Sequence, residues 1–117
     1  MADIVDPAPT TEAAGGINLV TEVPGPNSRA LAARRDAAGA RGAARRTAVS
    51  VASAHGAYVT DVDGNRLLDF AGGIGVLAIG HTPEGVVRAM REQAEKLVHL
   101  CAIVGTYEPY VQLLERL

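Results

Sequence analysis

The amino-acid sequence predicts a small α+β protein with one early helix, an antiparallel β-hairpin and two later helices. Two observations carry this prediction. Asp63-Gly64 separates two short runs that suit strands, and apolar residues in the last third recur at three- and four-residue spacing, which is typical of amphipathic helices. With 117 residues, the chain is about the size of one small domain, and its core must be limited.

The first helix is predicted after a break at residues 23–26, Val-Pro-Gly-Pro. Either Asn27 or Ser28 is expected to cap it, and it should run toward Gly39. Residues 1–18 are rich in Ala, Pro, Thr and Gly without apolar periodicity, so we expect a mobile tail there and an ordered segment over residues 19–117.

The hairpin is predicted from a strand-forming run at Ala57 to Val62, a turn, and a second run at Arg66 to Phe70. Asp63-Gly64 should supply the positive backbone dihedrals of a tight turn. Residues 71–76 follow, too glycine-rich for a stable helix or strand interior yet apolar enough to be buried. They are either a plain tight connection or a place of close backbone approach.

A long amphipathic helix is predicted from Glu84 to Leu100, with Thr82 as its cap and Pro83 at its first position. One face should bury Val86, Met90, Ala94 and Leu97 together, within a stripe that also holds Val87, Val98 and Cys101.

A second helix should begin near Thr106, with Pro109 in its first turn. Its apolar stripe consists of Tyr110, Leu113, Leu114 and Leu117. No capping glycine or polar tail follows Leu117, which is the pattern expected of a truncated protein.

The composition argues against several classes of function. The net charge of −2 gives no general attraction to nucleic acid, and no apolar run is long enough to span a membrane. The five arginines among residues 34–46 have no interleaved aromatic, so a solvated or interface face is favoured over a nucleic-acid patch. Asp3 and Asp6 argue against a signal peptide, a transit peptide remains the less favoured alternative, and the single Cys101 fits a reducing cytoplasm.

No self-contained active site is visible in the sequence. The three histidines, His55, His81 and His99, are far apart, and turn chemistry explains Asp61, Asp63 and Asp69 better than calcium binding does. We therefore predict no metal ligand, no catalytic residue and no cofactor-binding residue in this chain. Lys96 is the only lysine, and on the predicted helix it should point into water.

The run from Tyr58 to Val76 resembles the opening hairpin of the class III aminotransferases. Gly80-His81-Thr82-Pro83 and Tyr107-Glu108-Pro109-Tyr110 follow in that family's order. The resemblance extends over about Leu19 to Leu117 and is strongest to the members that act on 4-aminobutyrate. It implies the N-terminal part of a fold-type I transferase that depends on pyridoxal phosphate.

The resemblance also implies a function for the complete enzyme. An amino group would pass from 4-aminobutyrate, or a related omega-amino acid or diamine, to 2-oxoglutarate, giving succinate semialdehyde and glutamate. A homodimer or higher homo-oligomer is expected. Ile74 would line the substrate pocket and Gly73 would let the loop come close, whereas the chain alone should be inactive. The alternatives are a non-catalytic binding or regulatory module derived from this segment, and a structural or nucleic-acid interaction protein.

Overall fold

The computed structural model describes residues 16–40, 42 and 45–117, so most of the predicted tail lies outside it. The chain divides into two compact units, Met1–His81 and Thr82–Leu117. The first contains α1 (Pro26–Ala38), β1 (Val51–His55), β2 (Tyr58–Asp61), β3 (Arg66–Leu68) and α2 (Gly72–Gly75), and the second contains α3 (Glu84–Ala94) and α4 (Glu108–Arg116). The α+β class is confirmed.

The sheet has three antiparallel strands in the order β1-β2-β3. Tyr58 faces Leu68 and Thr60 faces Arg66, which confirms the predicted pairing around the turn. Arg66 also exchanges two backbone hydrogen bonds with Asn18, 2.9 and 2.7 Å long, on its other side. The sequence did not predict β1, whose five residues, Val-Ala-Ser-Ala-His, include two alanines and carry only weak strand propensity.

The turn between β2 and β3 is longer than predicted. Of the two expected positive dihedrals, only Gly64 has one, with φ of 89°. The Asp61 N–H donates to the Asn65 carbonyl across 2.9 Å, and the Asp61 carboxylate accepts the N–H groups of Asp63 and Asn65. The connection is wider because these side-chain bonds fold residues 62–65 over Asp61.

Helix α1 is capped from a distant part of the chain, and the expectation that Asn27 or Ser28 caps it is wrong. Gly25 is the N-cap residue and provides no side-chain bond. The two Asp63 carboxylate oxygens instead accept the N–H groups of Asn27 and Ser28, at 2.7 and 2.8 Å. Desolvation raises the pKa of Asp63, but bonds from the Ser28 hydroxyl and from these N–H groups outweigh it and lower the pKa overall.

The interior of the first unit is mainly polar. Among the described residues, Ala32 is the only buried hydrophobic one, whereas Asn65 has no exposed surface. Asn65 Oδ1 accepts the N–H groups of Val20 and Thr21, and its Nδ2 donates to Thr21 Oγ1 and Asp61 Oδ2, all at 2.8 Å. These hydrogen bonds therefore hold the N-terminal segment on the hairpin.

Helix α3 ends at Ala94, six residues before the predicted end at Leu100. The Gln93 carbonyl accepts the N–H groups of both Lys96 and Leu97, at 3.0 and 2.8 Å. The Gln93 side chain also donates to the Leu97 carbonyl across 2.9 Å. This tightened last turn closes the helix earlier than the apolar spacing predicts.

The predicted cap and the predicted burial of α3 are also wrong. Thr82 has φ of 46° and lies outside the helix, and the N-cap position is taken by Pro83. Val86 is 43% exposed and Met90 68% exposed, Ala94 is exposed, and Leu97 is half-buried. The apolar stripe therefore meets no core within Thr82–Leu117.

In the part of the chain that the structure describes, no helix has the length and apolar character needed to span a membrane.

Candidate functional site

The glycine loop, defined here as residues 70–80, leaves the sheet after β3 and returns at His81. Its first turn is α2, in which all four residues have positive φ: 48° at Gly72, 64° at Gly73, 64° at Ile74 and 78° at Gly75. Three of the four are glycines, which adopt such dihedrals without steric cost. The glycines thus allow a left-handed turn that ordinary residues would not form.

Ile74 is the exception within that turn. It has φ of 64° and ψ of 51°, a left-handed conformation that costs an L-residue roughly 1–2 kcal/mol. Its side chain is 94% exposed, so the expectation that this segment is buried is wrong. Strained backbone conformations cluster at binding and catalytic sites, so the conformation of Ile74 makes this turn a candidate functional site.

Other apolar side chains of the loop are exposed as well. Phe70 is 91% exposed, Val76 77% and Ile79 71%. The glycine loop therefore exposes several aliphatic and aromatic residues, each of which is available for contact with an apolar group.

The strained turn is held by a short relay of hydrogen bonds. Asp69 Oδ1 accepts the N–H groups of Ala71 and Gly72, at 2.9 and 3.0 Å. The Ala71 carbonyl in turn accepts the N–H groups of Ile74 and Gly75, at 2.7 and 3.0 Å. The Asp69 side chain therefore fixes the peptide group on which the Ile74 backbone rests.

The other Asp69 oxygen reaches the far end of the loop. His81 Nε2 lies 2.7 Å from Asp69 Oδ2, and the two side chains are only 21% and 15% exposed. The bond from His81, together with the Gly72 N–H, lowers the pKa of the Asp69 carboxyl. Because an ionised carboxylate only accepts, His81 donates an Nε2–H in this pair.

The backbone closes the loop at the same place. The N–H and carbonyl of His81 pair with those of Gly56 between β1 and β2, at 2.8 and 3.0 Å. Gly80 has φ of 81°, and a Cβ there would lie 2.8 Å from the Gly56 carbonyl oxygen. Only glycine fits at this crossing point, where the loop rests against the β1–β2 turn.

Two of the described arginines among residues 34–46 form ion pairs with one aspartate. Asp36 pairs with Arg35 at 3.1 Å and with Arg45 at 2.8 Å on an exposed surface. Because the carboxylate offsets part of their charge, the pairs support the solvated face favoured from the sequence. Arg41 lies outside the described residues.

The predicted site residues lie together, whereas the residues that support them were missed. Gly73 and Ile74 are adjacent in α2, and their contact with substrate stays a prediction. From the sequence, Asp69 is assigned to turn chemistry and His81 is given no partner. Their twelve-residue separation carries no sequence signal of contact, although an Asp two residues before Ala-Gly is typical of a side-chain-closed turn.

The remaining candidate residues do not assemble into a site. Lys96 is exposed and belongs to the unit Thr82–Leu117. Across residues 16–40, 42 and 45–117, no three His, Cys, Asp or Glu side chains are grouped as metal ligands would be.

Comparison with known proteins identifies the family. The model of the class III aminotransferases matches residues 39–117, more than half of the chain, so the chain belongs to that family. It is 48% identical over 99 residues to the 4-aminobutyrate aminotransferase of Mycobacterium tuberculosis, covering 85% of this chain and 22% of that enzyme.

Two further relatives have the same range of similarity. The 5-aminovalerate aminotransferase of Pseudomonas putida is 44% identical over 90 residues, which cover 77% of this chain and 21% of the relative. The 4-aminobutyrate aminotransferase of Escherichia coli is 42% identical over 89 residues, with 76% and 21% covered. The chain thus spans about a fifth of the length of the curated relatives it matches.

Proposed function

We propose that this chain is the N-terminal segment of an enzyme that transfers an amino group from 4-aminobutyrate, or a related omega-amino acid or diamine, to 2-oxoglutarate. The products would be succinate semialdehyde and glutamate. Two relatives are named for 4-aminobutyrate and one for 5-aminovalerate, which supports an omega-amino acid as the donor. Residues 19–117 form the segment and residues 1–18 a tail, in a cytoplasmic homodimer or larger homo-oligomer.

We place the substrate contact at Ile74 and Gly73. The single observation that carries this proposal is Ile74 itself, whose side chain is 94% exposed on a left-handed backbone. An omega-amino acid has charged groups at its ends and methylenes between them. Burying each methylene against an aliphatic side chain contributes about 0.8 kcal/mol, so Ile74 suits the middle of such a substrate.

Pyridoxal phosphate, the cofactor typical of the family, does not fit the described residues. Each buried side-chain nitrogen or oxygen among them already has a hydrogen-bond partner, so the buried side chains offer no open donor to a phosphate. The single lysine, Lys96, is exposed. We therefore assign the cofactor's ligands to the rest of the enzyme, and to this chain an apolar contact that orients the substrate and excludes water.

A segment exchange tests the proposal. Residues 19–117 would replace the matching segment of the Mycobacterium tuberculosis enzyme, and turnover of 4-aminobutyrate and of 5-aminovalerate with 2-oxoglutarate would be measured. The unmodified host enzyme is the positive control.

We expect the exchanged enzyme to transaminate an omega-amino acid, because the matched segments are 48% identical. The ratio of the kcat/KM values for the two donors would show whether this segment favours the shorter or the longer amino acid. A folded exchanged enzyme with no transamination of either donor would contradict the proposal and favour the non-catalytic module.

A further inference from the structure

We propose that Asp69 and His81 are positioning residues that hold Ile74 in its substrate-facing conformation. The inference rests on the proposed function and names the two residues that hold the conformation of the substrate-contacting loop. Neither side chain is assigned a contact with substrate, and both act through the backbone of the glycine loop.

The first step is the link from Asp69 to Ile74. Asp69 Oδ1 accepts the Gly72 N–H at 3.0 Å, and the carbonyl of that same peptide group, which is the Ala71 carbonyl, accepts the Ile74 N–H at 2.7 Å. One peptide group therefore separates the carboxylate from the strained residue. A shift of the Asp69 side chain would move the acceptor that holds the Ile74 N–H.

The second step is the link from Asp69 to the sheet. His81 Nε2 contacts Asp69 Oδ2 at 2.7 Å, while the His81 backbone pairs with Gly56 in both directions. The imidazole thus joins the start of the loop to its end, at a point already fixed to the β1–β2 turn. A carboxylate bound on both oxygens has little freedom to rotate.

The third step is the need for such a support. Three of the four residues in α2 are glycines, which gain much freedom when the turn opens, and Ile74 is strained in the closed form. Exposed apolar side chains in the loop supply little packing to oppose that opening. The Asp69–His81 pair at the base of the loop opposes that opening together with the backbone hydrogen bonds of Ala71 and His81.

The first experiment uses the chain itself and reads the Ile74 backbone by NMR. The intraresidue HN–Hα NOE of Ile74 is strong when φ is positive and weak when φ is negative. We expect His81→Leu to weaken this NOE and His81→Gln to retain most of it, because a Gln amide can still donate to Asp69. His99→Leu is the matched control, since His99 is an exposed histidine in the other unit.

The second experiment measures kinetics in the exchanged enzyme. We expect His81→Leu to raise KM for the amino donor on the order of tenfold, with His81→Gln intermediate and His99→Leu unchanged. A purely structural role would lower the yield of folded enzyme and leave KM as it is.

The outcomes separate this inference from the proposed function. An exchanged enzyme without activity contradicts the proposed function, and the NOE result still decides whether the pair holds Ile74. The positioning role is overturned if His81→Leu leaves the Ile74 NOE and KM unchanged. The positioning role is also overturned if His81→Leu disorders the backbone of Ile74 and the backbone of β2 to the same extent.

Discussion

Replacing Asn65 should be one of the most damaging single changes in the first unit. Asn65→Ala removes four side-chain hydrogen bonds and leaves three buried or half-buried groups unpaired: the N–H groups of Val20 and Thr21, and Asp61 Oδ2. Thr21 Oγ1 keeps a bond to the Glu22 carbonyl. At about 1 kcal/mol for each group left unpaired, the expected loss is about 3 kcal/mol, a large share of a typical ~5–15 kcal/mol.

Two further variants sharpen that prediction. Asn65→Asp keeps an acceptor for Val20 and Thr21 but places a second carboxylate oxygen against Asp61 Oδ2, where the amide now donates across 2.8 Å. It should destabilise at neutral pH, and less at low pH, because a protonated carboxyl regains a donor. Asn27→Ala is the control, since the Asn27 side chain is exposed and makes one 3.4 Å bond.

The assay is urea unfolding followed by far-UV circular dichroism, with amide hydrogen exchange at Val20 and Thr21 as the local readout. We expect a lower midpoint and faster exchange at both amides for Asn65→Ala. If Asn65→Ala and Asn27→Ala both stay within about 0.5 kcal/mol of the native chain, the polar network does not hold the N-terminal segment and the reasoning fails.

Three other predictions concern the α1 cap, the loop base and the lysine. Gly25→Ala should destabilise the first unit, because its Cβ would clash with the Asp63 side chain that caps α1. Gly85→Ala, with no atom within 4 Å of the added Cβ, should stabilise α3 by up to about 1 kcal/mol. Equal urea midpoints for the two variants would contradict this prediction. The pKa of Asp69 lies below its ordinary 3.8 in the folded chain. The stability that the Asp69 carboxylate gives to the glycine loop is therefore complete above pH 3.8 and is lost as the pH falls through the lowered pKa. Proteolysis within residues 70–80 should rise only in that acid range, and a rise near neutral pH would count against the pair. The chain alone should show no saturable absorbance change with pyridoxal phosphate and no transamination, and turnover abolished by Lys96→Ala would refute this.

Local signals in the sequence were sufficient for the elements whose determinants are neighbours in the chain. The strands on either side of residues 62–65 pair as predicted, because β-branched residues, aromatics and a glycine turn act within a few positions. Helix α4 likewise begins close to its predicted start, with Pro109 in its first turn.

The wrong cap of α1 and the undetected base of the glycine loop share one physical cause, which is that a group distant in sequence provides the contact. The cap of α1 comes from Asp63, thirty-six residues after Asn27, and no pattern near the helix announces it. Likewise, the base of the glycine loop depends on a carboxylate and an imidazole twelve residues apart. Periodicity predicts which face of a helix is apolar, and it carries no information on whether the same unit buries that face, as Met90 demonstrates.

The most direct test of the account is the effect of Ile74 on donor binding in the exchanged enzyme. Ile74→Ala should raise KM for 4-aminobutyrate about tenfold, since it removes aliphatic surface from the proposed contact. The KM of Ile74→Val should lie between that of Ile74→Ala and that of the unsubstituted exchanged enzyme. Val51→Ala is the control, because Val51 is a half-exposed aliphatic residue in β1, outside the glycine loop. The account predicts a selective rise in KM for Ile74→Ala. Equal KM values for Ile74→Ala, Val51→Ala and the unsubstituted exchanged enzyme would contradict it.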